Sequence, residues 1–177
     1  MPANLYIIGT MNTADKSLVQ MDEALRRRFA FEELMPEPKL LDRRYQELQV
    51  PKSDAATYKD ILIKLNDTIV HERMKEYRDK QVGHSYFWNI KNDNDLRLVI
   101  RYQIIPLLQD YFYDDYAEIK GILGDEIITK ENRQSDLLDK GNEAKLKDAL
   151  LKALNPSKNT EQKKSTKDTE KVEVDDD

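Results

Sequence analysis

The chain has 177 residues, 39% hydrophobic and 36% charged, with a net charge of −5 and no cysteine. That length allows one domain or two small ones. The composition excludes a disulfide framework, a thiolate metal site and a cysteine nucleophile, and the negative charge argues against a strong nucleic-acid surface on this chain alone.

Residues 5–8 (Leu5, Tyr6, Ile7, Ile8) form a short apolar run that predicts a buried parallel strand. Gly9, Thr10, Met11 and Asn12 leave it, which puts Asn12 and Asp15 at its C-terminal edge, where open α/β sheets bind ligands. Ser17 with Gln20 is a capping-box pattern. Leu18, Met21, Ala24 and Leu25 then recur at helical spacing and end in Arg26, Arg27 and Arg28, side chains suited to hold phosphate oxygens. Phe29, Ala30 and Phe31 predict a second strand, stopped by Pro36 and Pro38. Beyond Pro38 the pattern is helical. A short amphipathic helix carries Leu40, Leu41, Tyr45 and Leu48 and ends before Pro51. A long one is expected over about 55–80, with Tyr58, Ile61, Leu62, Leu65 and Ile69 on one stripe. The segment 81–88 breaks that pattern, and in one of two readings it is a packed turn in which Tyr86, Phe87 and Trp88 fill a core. Asp93 or Asn94 is expected to cap a helix running through Phe112, kinked by Pro106. Shorter helices are expected near 116–123 and over 146–154. From Pro156 the apolar signal vanishes, and residues 156–177 read as a disordered charged tail.

The order strand, MNTADKS, helix, LRRRF resembles the second half of a AAA+ nucleotidase core. In wording it is similar to the McrB family, the GTP-driven motor subunit of modification-dependent restriction systems. That family carries a strand, then MNTADRS and later ALRRRF. Here the matching residues are 11–17 and 24–29, with Lys16 where the family has arginine. Val82-Gly83-His84-Ser85-Tyr86-Phe87 resembles the IGHSYF segment of the family's lid.

The resemblance implies an α/β, mostly helical fold: the terminal strand–helix–strand of a AAA+ phosphate-loop core over 1–38, a helical lid bundle over 39–155, and the tail over 156–177. It implies that Asn12 orients the attacking water beside the terminal phosphate and that Asp15 steadies an arginine. Arg27 and Arg28 would be arginine fingers acting across a subunit boundary. His84 would approach the nucleotide or that boundary from the lid. As alternatives, Asn12 and Asp15 are turn formers, the arginines a solvated basic patch favoured by a helix C-terminus, and His84 a locally satisfied residue of a packed turn.

None of the five glycines precedes a Lys-Ser or Lys-Thr pair at phosphate-loop spacing, and no apolar strand ending in paired acids precedes the sensor strand. The chain therefore reads as a C-terminal part of a motor that does not bind or hydrolyse nucleotide by itself. A start inside a longer frame, a split gene or a truncated one would each give it, and Pro2-Ala3-Asn4 fits the join. In the intact assembly the resemblance implies GTP (or ATP) with magnesium. Its expected partners are neighbouring AAA+ subunits in a ring and a McrC-like nuclease subunit, with 5-methylcytosine DNA reached only through the larger assembly. No metal site is expected on this chain, and a cytoplasmic location follows. The alternative function is a non-catalytic lid module that docks on a complete ring, or the remnant of a decayed gene.

Overall fold

The computed structural model describes residues 4–11, 27–71, 75–131 and 133–155. The chain divides into two units, Met1–Met35 and Pro36–Asp177. Asn12, Asp15, the helix expected after Ser17 and the tail lie outside the described residues.

In the first unit neither expected strand forms among the described residues: 5–8 and 29–31 pair with no neighbour. An extended segment becomes a strand only by donating to and accepting from a partner, and without one its apolar side chains stay in solvent. Tyr6 is 88% and Ile8 94% exposed, and Phe29, Phe31 and Leu34 are exposed as well.

The second unit is helical. Its elements are α1 (Leu40–Glu47), α2 (Lys52–His71), α3 (Asp93–Val99), α4 (Ile105–Tyr111), α5 (Tyr116–Leu123) and α6 (Glu143–Ala153). Among the described residues it also has 3-10 turns at Lys75–Lys80, His84–Phe87 and Asp136–Leu138 and a π turn at Ile100–Ile104. Among the described residues the β-type pairing is one isolated bridge, Ile128 to Gln134. No helix among them is long and apolar enough to cross a membrane.

The core follows the apolar stripes. Tyr58, Ile61, Leu62, Leu65 and Ile69 of α2 are buried in one cluster with Leu41 and Tyr45 of α1, Leu96 of α3, and Ile105 and Leu108 of α4. Ile119, Ile122 and Leu123 of α5 join the same core, as do Leu146, Ala149 and Leu150 of α6. Burying a leucine-sized side chain stabilises by roughly 1.5–3 kcal/mol, whereas a solvated ion pair gives about 0–1. Helix α6 is therefore held mainly by its leucines, and the pairs Lys147–Asp93 (2.7 Å) and Arg97–Glu143 (3.5 Å) set its register.

Two expectations about the helices change. The long helix begins at Lys52 and ends at His71, with a 3-10 turn from Lys75 in place of its last turns. A continuous helix would carry residue 82 roughly 24 Å past residue 66, whereas the Val82 backbone bonds the Asn66 side chain. The cap of α3 is Asn92, whose side chain accepts from the Asp95 N–H, rather than Asp93 or Asn94. Pro106 perturbs its run as expected, through a π turn before it. Proline offers no N–H to the preceding turn, and the Ile105 N–H reaches back five residues to the Ile100 carbonyl.

Candidate functional site at the lid turn

The segment 81–89 is placed by two polar anchors set in apolar surroundings. Asn66 projects from the buried stripe of α2 and is itself buried. Its Nδ2 donates to the Val82 carbonyl at 3.0 Å, and the Val82 N–H donates to its Oδ1 at 2.7 Å. Tyr45 of α1 donates from its hydroxyl to the Phe87 carbonyl at 3.0 Å. Val82 and Phe87 bury their side chains, so the turn between them is fixed at both ends.

His84 opens the 3-10 turn and is half-buried. Its Nδ1 accepts the Glu37 N–H at 3.1 Å. A ring nitrogen that accepts carries no proton, so the neutral imidazole's proton is assigned to Nε2, which is left as a donor. The ring lies 6.3 Å from the Trp88 ring. Trp88 is 37% exposed, which departs from the packed-turn reading in which it fills the core alongside Tyr86 and Phe87. Successive residues of a tight turn point about a third of a revolution apart, so a fully inward Phe87 sends Trp88 to the surface.

Arg44 of α1 covers that indole, its guanidinium carbon 5.6 Å from the ring centroid. It donates to the Trp88 carbonyl (3.3 Å), Asn89 Oδ1 (2.8 Å) and Glu47 Oε2 (3.3 Å). With its nitrogens so committed, Arg44 braces the turn and is a poor candidate for a phosphate ligand. The chemically open group here is His84 Nε2–H, a neutral donor suited to an anionic oxygen.

Arg27 and Arg28 lie in an exposed turn of the first unit, and His84 belongs to the second. Asn12 and Asp15 fall outside the described residues. Among the described residues no group of three or more His, Asp or Glu could hold a metal ion. The aromatic residues at and after the end of α4 divide by environment: Phe112 is buried, Tyr111 and Tyr116 pack against the core, and Tyr113 is exposed.

Sequence reasoning missed Asn66, Glu37 and Arg44. Asn66 was visible as a polar residue four positions after Leu62 on the apolar stripe, a place where a polar group must find a partner. Glu37 was visible as the one residue between two prolines.

Residues 57–120 match the family described as "McrB, alpha-helical lid domain". The chain is also 35% identical over 124 residues to the "Type IV methyl-directed restriction enzyme EcoKMcrB subunit" of Escherichia coli (strain K12), an alignment covering 64% of this chain and 27% of that protein. It thus spans about a quarter of the length of that relative. The matched segment begins within α2, runs through the His84 turn, α3 and α4, and ends within α5, so this part of the second unit is similar to the alpha-helical lid of that family.

Proposed function

We propose that this chain supplies the lid and the last part of the AAA+ core of a McrB-like nucleotidase motor in a modification-dependent DNA restriction system. The observation that carries the reading is the lid match over 57–120, together with 35% identity to a methyl-directed restriction subunit over a longer stretch. In this reading residues 1–38 are the terminal strand–helix–strand of the core. Their exposed apolar side chains are then surfaces for neighbouring strands. Asn12 orients the attacking water in cis, Asp15 steadies an arginine, and Arg27 and Arg28 act in trans on the neighbour's nucleotide. His84 meets the nucleotide through Nε2–H. The substrate is GTP (or ATP) with magnesium, whose ligands are assigned to other parts of the motor. The partners are further AAA+ subunits in a cytoplasmic ring and a McrC-like nuclease subunit, and methylated DNA is engaged through the whole assembly.

A polypeptide carrying the phosphate loop and acidic strand of a McrB-like motor, mixed with this chain, tests the reading. Restored nucleotide hydrolysis supports it. Binding to an intact McrB-like ring with reduced hydrolysis supports instead a lid module that poisons ring closure. One observation favours that second reading: the second unit closes its own core from residues 41–154.

A further inference from the structure

The tripeptide Pro36-Glu37-Pro38 contains a single backbone N–H, that of Glu37, because proline has none. These residues open the second unit and lead directly into α1. The Leu40 N–H bonds the Glu37 carbonyl and the Leu41 N–H bonds the Pro38 carbonyl, each at 3.1 Å. The Glu37 carboxylate accepts the Lys39 N–H at 3.3 Å. All of these bonds are local. A hydrogen bond from this segment to a distant part of the lid runs from the Glu37 N–H to His84 Nδ1, across 47 residues of sequence.

We propose that His84 is a positioning residue that fixes the direction in which the chain enters the lid, by accepting the one backbone proton its entry segment can donate. The acceptor is rigidly mounted. His84 sits on a turn whose preceding residue pair, Val82 and Gly83, is held by the buried Asn66 clamp, and its ring rests beside Trp88, itself covered by Arg44. The two prolines restrict φ on either side of Glu37, so a bond at this single point constrains the whole segment. This role uses Nδ1, while the nucleotide contact proposed above uses Nε2 of the same ring. Where that reading holds, a ligand oxygen drawing on Nε2–H acts on the same ring that holds Glu37.

The test is amide hydrogen exchange at Glu37 in the full 177-residue chain, comparing the parent with His84→Asn, His84→Gln and His84→Ala. Asparagine sets an acceptor oxygen near the Nδ1 position, whereas glutamine reaches the Nε2 position and alanine supplies neither. Glu37 is expected to exchange at the parent rate in His84→Asn and roughly fivefold faster in His84→Gln and His84→Ala, the size of one lost exposed hydrogen bond. Equal exchange in the parent and His84→Gln overturns the proposal, and that pair stays informative even where His84→Ala fails to fold. The nucleotide reading fails separately. If His84→Asn hydrolyses nucleotide like the parent in the reconstituted motor while the exchange pattern is as expected, Nε2 has no catalytic contact and the entry anchor stands.

Discussion

Asn66 and Val82 exchange two hydrogen bonds in the buried interior of the lid, so that one carboxamide satisfies both backbone groups of a residue 16 positions away. Neither backbone group has a helical or sheet partner to replace it. Asn66→Ala leaves a buried N–H and a buried C=O unpaired, at a cost of roughly 1–3 kcal/mol each before relaxation. Denaturant unfolding followed by the fluorescence of the one tryptophan, Trp88, is expected to show a loss of about 2–4 kcal/mol. Asn66→Asp keeps the bond from the Val82 N–H but not the one to its carbonyl, and should also be destabilised. A loss below about 0.5 kcal/mol in Asn66→Ala, the range of surface substitutions, would show that the clamp does not hold the turn.

The fold was legible where apolar periodicity decides it and not where a single polar contact does. The stripe Tyr58, Ile61, Leu62, Leu65, Ile69 announces α2, and all five side chains are buried. The end of α2 was not legible. Residues through Lys80 keep good helix formers, and the reversal depends on a contact between positions 66 and 82 that no local window contains. Trp88 was misplaced for a related reason: an aromatic triplet suggests a core, but a tight turn can bury only part of it, and Arg44 on α1 made the exposed alternative favourable. At the candidate site, the break in the apolar pattern over 81–88 marked a turn, His84–Phe87. The partner of His84 Nδ1 lies 47 residues earlier and could be inferred only from the spacing of Pro36 and Pro38.

Gly124 ends α5 at φ +87°, and a Cβ there would sit 2.8 Å from Ala153 Cβ of α6. Two costs therefore combine in Gly124→Ala: a backbone conformation that L side chains rarely adopt, and a clash between helices. The expected loss is roughly 1–3 kcal/mol from the backbone alone, with more from the clash. Adding Ala153→Gly should relieve the steric part and leave the backbone part. If the double variant is as unstable as the two single losses summed, the contact with α6 is not the source of the clash.

Stability should fall in alkali. Burial pushes the Tyr45 hydroxyl up, and burial followed by the hydrogen bond to Asp93 (2.7 Å) pushes Tyr58 up. For Lys147, burial opposes the charge, but the Asp93 carboxylate outweighs it and the net shift is upward. All three folded values lie above the unfolded ones of about 10–10.4. Their contribution is thus fully present below about pH 10 and is lost as pH rises toward the folded values. Denaturation midpoints are expected to be level from pH 7 to about 9 and to drop above 10, less steeply in Tyr58→Phe. On the acid side, hydrogen bonds from the Gly141 N–H, 3.0 Å from each carboxylate oxygen, hold Glu143 below the usual carboxylate range. That contribution is present above about pH 4.5 and is lost as pH falls through the lowered value. An alkaline profile unchanged by Tyr58→Phe would remove Tyr58 from this account.

The trans role proposed for Arg27 and Arg28 predicts an asymmetry between neighbours. Both side chains are exposed, as a group reaching toward another subunit must be. In the reconstituted motor, alanine at the working position should lower turnover by roughly 10³–10⁵-fold, the usual worth of an arginine finger. Lysine should rescue poorly, because it keeps the charge and loses the planar fork. Mixing an arginine variant with an Asn12→Ala variant distinguishes a finger from a fold contact. Each population is inactive alone. In a mixed ring, a subunit with intact Asn12 can receive its arginine from a neighbour that lacks only Asn12, so activity should return. No return on mixing, with rings shown to form, would place these arginines within their own subunit's structure rather than in its neighbour's site.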